Sequence, residues 1–196
     1  MSDGLPPEVR NAFDDSNPRP TIGPPAWDER IDIGMHPRFR NTQELRVAVV
    51  LKGSIPAVIL ETIELAQGTE TLKSWLLLYL QMIPGVLAGL VKADKQLADL
   101  ECSPATDWPQ FPLVCGEGKC GREEIRVLVD AYNGRLEAKL STTIAGSSSR
   151  NGRWAKLSSA DIRIVGKLIL QAYDHAKSMN SEAPSSSSPY DEEVPF

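Results

Sequence analysis

The feature that most constrains this chain is an Asn-Gly dipeptide set between two alternating runs. Glu124 to Tyr132 alternates apolar and polar residues, and Arg135 to Ile144 alternates again. Asn133-Gly134 between them is the pair a two-residue type I′ turn prefers, because both of its central residues need positive φ. Such a loop fixes the register. Ala131 falls opposite Leu136, Val129 opposite Ala138, Val127 opposite Leu140 and Ile125 opposite Thr142. One face is almost wholly apolar, as a packed hairpin requires. Asp130 falls opposite Glu137, a mild repulsion that marks the other face as solvated.

A hairpin needs something to pack on, and the rest of the chain predicts what. Glu44 to Lys52 alternates, with Leu45, Val47, Val49 and Leu51 on one side, which reads as a strand. Gly53-Ser54 breaks it, and Ser54 followed by Ile55-Pro56 suits a helix start. Val58, Ile59, Ile63 and Ala66 then recur at helical spacing up to Gly68, which predicts a first helix. Leu72, Trp75, Leu76 and Tyr79 predict a second, ended or kinked at Pro84-Gly85. A third piece runs from Val86 to about Leu97. Residues 101–123 hold Pro104, Pro109, Pro112, Gly116, Gly118 and Gly121, and read as an irregular segment. After a loop at 146–152, Ser158 and Asp161 resemble a capping box. Ile162, Val165, Leu168, Ile169, Ala172, Tyr173 and Ala176 form the stripe of a last helix. The order predicts an α+β fold, a small antiparallel sheet with a hairpin packed against helices.

The ends differ from the body. Residues 1–43 carry seven prolines and no sustained periodicity, and read as a flexible arm of net charge −2. Residues 179–196 form a Ser-rich acidic tail of net charge −4. The whole chain is −5, so the single domain expected over 44–178 is nearly neutral at +1. That balance argues against sequence-specific nucleic-acid binding by the body as a whole. Met1 to Glu8 lacks the basic and apolar runs of a secretory signal.

Little in the chain points to catalysis. There are two histidines, His36 and His175, and three cysteines, too few and too scattered for a histidine-rich metal site or a disulfide framework. Cys102, Cys115 and Cys120 could supply three thiolates to zinc. Their spacing is not paired C-x-x-C, and ordinary loop or buried thiols are the simpler reading. Gly116-Glu-Gly118-Lys-Cys-Gly121 lacks the phosphate-loop pattern and reads as a mobile turn. The chain is therefore expected to be no enzyme and to need no cofactor.

Three stretches suit contact with partners. Trp75 to Val91 is an apolar run of seventeen residues interrupted only by Gln81, and Ile83, Pro84, Val86 and Leu87 at its centre are candidates for membrane or subunit contact. As a helix it spans about 25 Å, short of the ~30 Å hydrocarbon core, so a buried kinked helix pair is the plainer reading. Arg150, Arg153, Lys156, Arg163 and Lys167 give residues 150–167 a local charge of +4, a patch suited to anionic lipid or a nucleoprotein. Pro24-Pro25-Ala26-Trp27 resembles a P-P-x-Y motif with Trp in place of Tyr, making Pro24, Pro25 and Trp27 a candidate linear motif.

The layout is similar to that of rhabdovirus matrix proteins: a proline-bearing arm, a strand at Glu44 to Lys52, helices over Ile55 to Leu97, an irregular middle, a hairpin at Glu124 to Ile144 and a helix at Ser158 to Ala176. The likeness is one of element order over residues 20–178. The arm departs from the family's animal-virus members, which carry a lysine-rich N-terminus and P-P-x-Y. The resemblance implies a non-enzymatic viral structural protein that forms homo-oligomers and links the viral nucleocapsid to an anionic membrane surface. It implies a place in the virion, in the host cytoplasm and at the inner membrane face as a peripheral protein, with host WW-type proteins as further partners. Two other classes stay open: a cytosolic adaptor presenting linear motifs in its tails, and an enzyme built on the Cys115/Cys120 loop.

Overall fold

A computed structural model describes residues 26–39, 43–52, 55–66, 68–144 and 154–182. Its fold is α+β, with eight strands in two antiparallel sheets and two long helices. Strands β1 (Glu29–Phe39), β2 (Gln43–Lys52), β3 (Ile55–Ala66) and β4 (Thr69–Tyr79) form the first sheet in sequence order. Strands β5 (Leu113–Cys120), β6 (Glu123–Tyr132), β7 (Arg135–Ile144) and β8 (Trp154–Leu157) form the second, also in sequence order. Helix α1 (Ile83–Glu101) follows the first sheet through a short 3₁₀ turn at Leu80–Met82, and helix α2 (Ser159–Glu182) follows the second. The chain is thus two successive units, each a four-stranded meander and a helix.

The hairpin forms in the expected register. Val127 pairs with Leu140, Val129 with Ala138, Ile125 with Thr142, and Asp130 with Glu137. Asn133 and Gly134 take φ of 51° and 74°, the left-handed values the turn requires. Val127, Val129, Ala138 and Leu140 are fully buried. The last helix also follows its sequence: Ile162, Val165, Ile169, Ala172 and Ala176 face the core, and Leu168 and Tyr173 flank it. Pro84 sits in the first turn of α1, where its missing N–H costs nothing.

Three expectations are corrected. Residues 55–66 and 69–79 are strands, not helices. Eight consecutive residues of β3, Pro56 to Ile63, are buried. A strand covered on both faces loses the two-residue alternation and can imitate helical spacing. The β-branched Val58, Ile59, Thr62 and Ile63 favour the pleated form. Second, residues 29–39 of the expected arm form β1, paired with β2 from Glu29↔Leu51 to Phe39↔Gln43 through two irregularities that mask its periodicity. Third, the glycines read as a mobile turn lie mostly in β5. The Cβ of an alanine at Gly116 would fall 2.5 Å from Gly89 Cα, so strand and helix touch backbone to backbone. The last helix runs to Glu182, so residues 179–182 of the expected tail are helical, whereas residues 183–196, residues 1–25 of the expected arm and the loop expected at 146–152 lie outside the described residues.

The helices cross over. Helix α1 packs on β5, β6 and β7 of the second sheet, while α2 packs on β1, β2 and β3 of the first, and the helices pack on each other. One continuous core results. It joins Leu45, Val58 and Leu78 of the first sheet, Val86 and Leu90 of α1, Val127 and Leu140 of the second sheet, and Val165 and Ile169 of α2. A polar joint closes it. His36 on β1 places Nε2 2.8 Å from Asp161 Oδ1 in the first turn of α2. The Ser158 amide and hydroxyl donate to Asp161 Oδ2 at 2.8 and 2.6 Å. This is the expected capping box, with its carboxylate also gripping the first sheet.

Candidate functional site

The two sheets present opposite chemistry on the faces turned away from the helices. On the second sheet, Arg126, Leu128 and Asp130 of β6 stand beside Ser141, Lys139 and Glu137 of β7. Lys156 of β8 reaches Glu137 at 3.2 Å and lies 4.8 Å from the centre of the Tyr132 ring. This face is polar, as the outer side of an antiparallel sheet ordinarily is.

The first sheet breaks that pattern. The register aligns Val50, Ala57 and Tyr79 in one row, and Ala48, Ile59 and Leu77 in the next. Together with Trp75 and Leu72 these residues form a second apolar cluster, separate from the main core. Among the described residues every member comes from the sheet itself except Trp27, which lies just before β1 and packs on the cluster. The adjoining Asp28 N–H donates to Leu51 O at 3.0 Å and ties this approach to the sheet edge. The Trp27 Nε1–H is buried with no acceptor. The same rows end on β1 in Arg30, opposite Val50, and Asp32, opposite Ala48, and the next row along the strands is charged as well. Arg30 donates to Glu61 at 2.8 Å and to Asp32 at 2.9 Å, and Arg46 donates to Glu70 at 2.7 Å and to Glu44 at 2.9 Å. The hydrogen bond to Glu61 holds the Arg30 guanidinium above its ordinary range, against the opposing effect of burial. The bond from Arg46 holds the Glu70 carboxyl below the usual carboxylate range. Glu61 is nearly covered, with 8% of its side chain exposed.

The expected site residues are spread over several elements. Ile83 and Val86 are fully buried in the core, which corrects their assignment to membrane or subunit contact. Pro84 is exposed and Leu87 half-buried. The apolar run Trp75–Val91 is divided between β4, the 3₁₀ turn and α1. Among the described residues no helix is long and apolar enough to cross a membrane. Lys156 lies on the outer face of the second sheet, whereas Arg163 and Lys167 lie on α2, with Arg163 donating to Asp94 of α1 at 3.0 Å. Arg150, Arg153, Pro24 and Pro25 lie outside the described residues. Trp27 belongs to the apolar cluster of the first sheet.

Sequence reasoning missed that cluster. Its signal was present as the near-continuous apolar runs 55–60 and 75–80, which alternate too little for a one-sided strand.

The thiols are dispersed: Cys102 is exposed, Cys115 buried and Cys120 half-buried. Among the described residues no group of three or more His, Cys, Asp or Glu side chains could hold a metal ion. Burial raises the Cys115 thiol, which donates to Gln96 Oε1 at 2.8 Å. In the folded protein a maleimide should label Cys102 first and Cys115 only on unfolding, as read by mass spectrometry of timed digests. Equal labelling rates at the two positions would contradict this placement.

No protein-family model matches the chain, and no curated protein matches it. The reading of function therefore rests on surface chemistry.

Proposed function

We propose that this is a non-enzymatic structural protein of the matrix type. It self-associates, joins a viral nucleocapsid to the inner face of an anionic membrane, and acts in the virion and the host cytoplasm. One observation supports the reading: of two sheets of equal size, only the first carries a second apolar cluster on the side away from the helices, bordered by charged pairs. Ala48, Val50, Ala57, Ile59 and Trp75 of that face are buried within the single chain, where Trp27 packs on them, and association there would require that cover to be displaced. The adaptor reading leaves this face unused.

Membrane attachment in this reading is peripheral and electrostatic. Lys156 and Lys167, with Arg150 and Arg153 between β7 and β8, supply the cations. Each cation near an anionic bilayer contributes up to about 1 kcal/mol, and salt screens it. Flotation with vesicles containing phosphatidylserine should recover the protein at low salt and lose most of it at 0.5 M salt, where the Debye length falls to about 4 Å from about 30 Å at 0.01 M. Lys156→Glu with Lys167→Glu should lower recovery about tenfold. Equal flotation on neutral vesicles, unchanged by salt and by the double substitution, would remove the membrane part of the proposal.

A further inference from the structure

We infer that the outward side of the helix pair is the surface that meets the membrane, with Leu87, Val91 and Leu170 entering the interface of a bilayer that carries anionic lipid. The inference rests on the membrane attachment proposed above and says which surface performs it.

Helix α1 is apolar on more sides than its packing uses. From Ile83 to Val91 it has no polar side chain. Ile83, Val86, Gly89 and Leu90 turn inward and are buried, which accounts for one side. Pro84, Leu87, Ala88 and Val91 recur at the spacing of a single helix stripe and line the solvent side, with Leu87 half-buried and the others exposed. Val91 is 73% exposed, the most open of the large apolar side chains among the described residues. Apolar residues scattered singly over a surface are ordinary, but a continuous stripe is a patch that marks contact.

Helix α2 extends the patch and gives it charge. Arg163 donates to Asp94 at 3.0 Å, and a Cβ at Gly166 would lie 3.9 Å from Leu90 Cδ1, so the two helices run antiparallel. One turn beyond Gly166, Leu170 therefore comes level with the turn of Leu87, and it is 46% exposed. Arg163 and Lys167 precede Leu170 on the same stripe of α2. Residues 84–99 and 163–177 together hold five cations against three carboxylates, so this side is net +2 on a chain of net −5. Asp94 is already taken up by Arg163. Lys156, on the outer face of the second sheet, is held by Glu137, whereas among the described residues no carboxylate pairs with Lys92, Lys95 or Lys167.

The composition of the patch points to lipid. Protein interfaces favour aromatic side chains and Arg, and are poor in Lys. Here the exposed apolar residues are aliphatic, and four of the five cations are lysines. Lysine suits an anionic bilayer, because its stem lies along apolar surface while its ammonium reaches the headgroup phosphates. A helix pair lying in the plane of the interface makes such contact without crossing the membrane.

The test is flotation of the full chain at low salt with vesicles of phosphatidylcholine and phosphatidylserine. Val91→Ser with Leu170→Ser removes apolar surface at two exposed positions and leaves every charge in place. The double variant should keep the far-ultraviolet circular dichroism of wild type while its recovery falls about tenfold. Lys119→Glu on β5, where the neighbouring Gly118 is the residue turned toward α1, is the charge control and should float within about twofold of wild type. Should the double variant lose its fold, an environment-sensitive dye on Val91→Cys in a Cys102→Ser background decides. Its emission should shift to the blue with phosphatidylserine vesicles, and no shift overturns the inference. A folded double variant that floats like wild type, or an equal loss in Lys119→Glu, overturns this surface but not membrane attachment. A wild type that fails to float overturns both, and loss of self-association in the same double variant would then give the face to a second copy.

Discussion

Gly116→Val is expected to lower the stability of the folded protein by about 3 kcal/mol, a large part of what a domain of this size possesses. The reason lies in what faces Gly116 across the contact between β5 and α1. A Cβ there would stand 2.5 Å from Gly89 Cα, 2.8 Å from Gly85 O and 2.9 Å from Gly89 N. All three are helix backbone, and backbone cannot rotate aside as a side chain can. The helix would have to lift from the sheet, drawing Val86, Leu90 and Ala93 out of the core with it. Gly166→Ala is the matching control. That position lies inside α2, and its nearest neighbour would be Leu90 Cδ1 at 3.9 Å, an ordinary contact. Alanine there should stabilise by about 0.5 to 1 kcal/mol through helix propensity. Urea unfolding followed by circular dichroism reads both. A Gly116→Val midpoint within about 0.3 M of wild type would show that strand and helix do not meet this closely.

Asp161→Ala should cost about 3 kcal/mol, more than the loss of a helix cap alone. One carboxylate accepts from His36 Nε2 and from both the amide and the hydroxyl of Ser158. Losing the cap accounts for about 1 kcal/mol. The remainder comes from the lost hydrogen bond between His36 Nε2 and the Asp161 carboxylate, worth about 1.5 to 3 kcal/mol for a bond to a charged group. Ser158→Ala removes only the hydroxyl and should cost about 1 kcal/mol. Similar losses for the two variants would mean that the link from α2 to β1 contributes nothing to stability.

Legibility in the sequence followed how many faces of an element are covered. The hairpin and α2 each bury one face, so their periodicities of 2 and 3.6 survive in the residue order. Val127, Val129, Ala138 and Leu140 could be placed from Asn133-Gly134 alone. Strand β3 and the second half of β4 bury both faces, and Val58, Ile59, Ile63 and Ala66 happen to fall at helical intervals. Spacing alone does not distinguish such a run from a buried helix; its β-branched residues lean toward a strand, and the cluster on the far side of the sheet decides it. The glycines of β5 were misread for a related reason. Gly116 and Gly118 look like loop residues until their partners Gly85, Gly89 and Met82 are known, and those lie some thirty residues earlier in the chain. The basic residues were legible as a run along the sequence, yet Lys156 and Arg163 fall on a sheet face and a helix, with separate acidic partners.

The exchange of helices between the two sheets has a consequence for how the protein comes off the ribosome. The inner face of the first sheet is covered by α2, the last described element to be synthesised. Nearly a hundred residues separate β3 from that helix, so at about 5 to 20 residues per second the apolar strands wait on the order of 5 to 20 s for their partner. The first meander cannot mature as an independent N-terminal domain during that interval. Nascent chains stalled before residue 159 should hold a sheet open on its helix side, which makes the nascent form a natural client of ribosome-associated chaperones and ties the yield of folded protein to completion of its final helix.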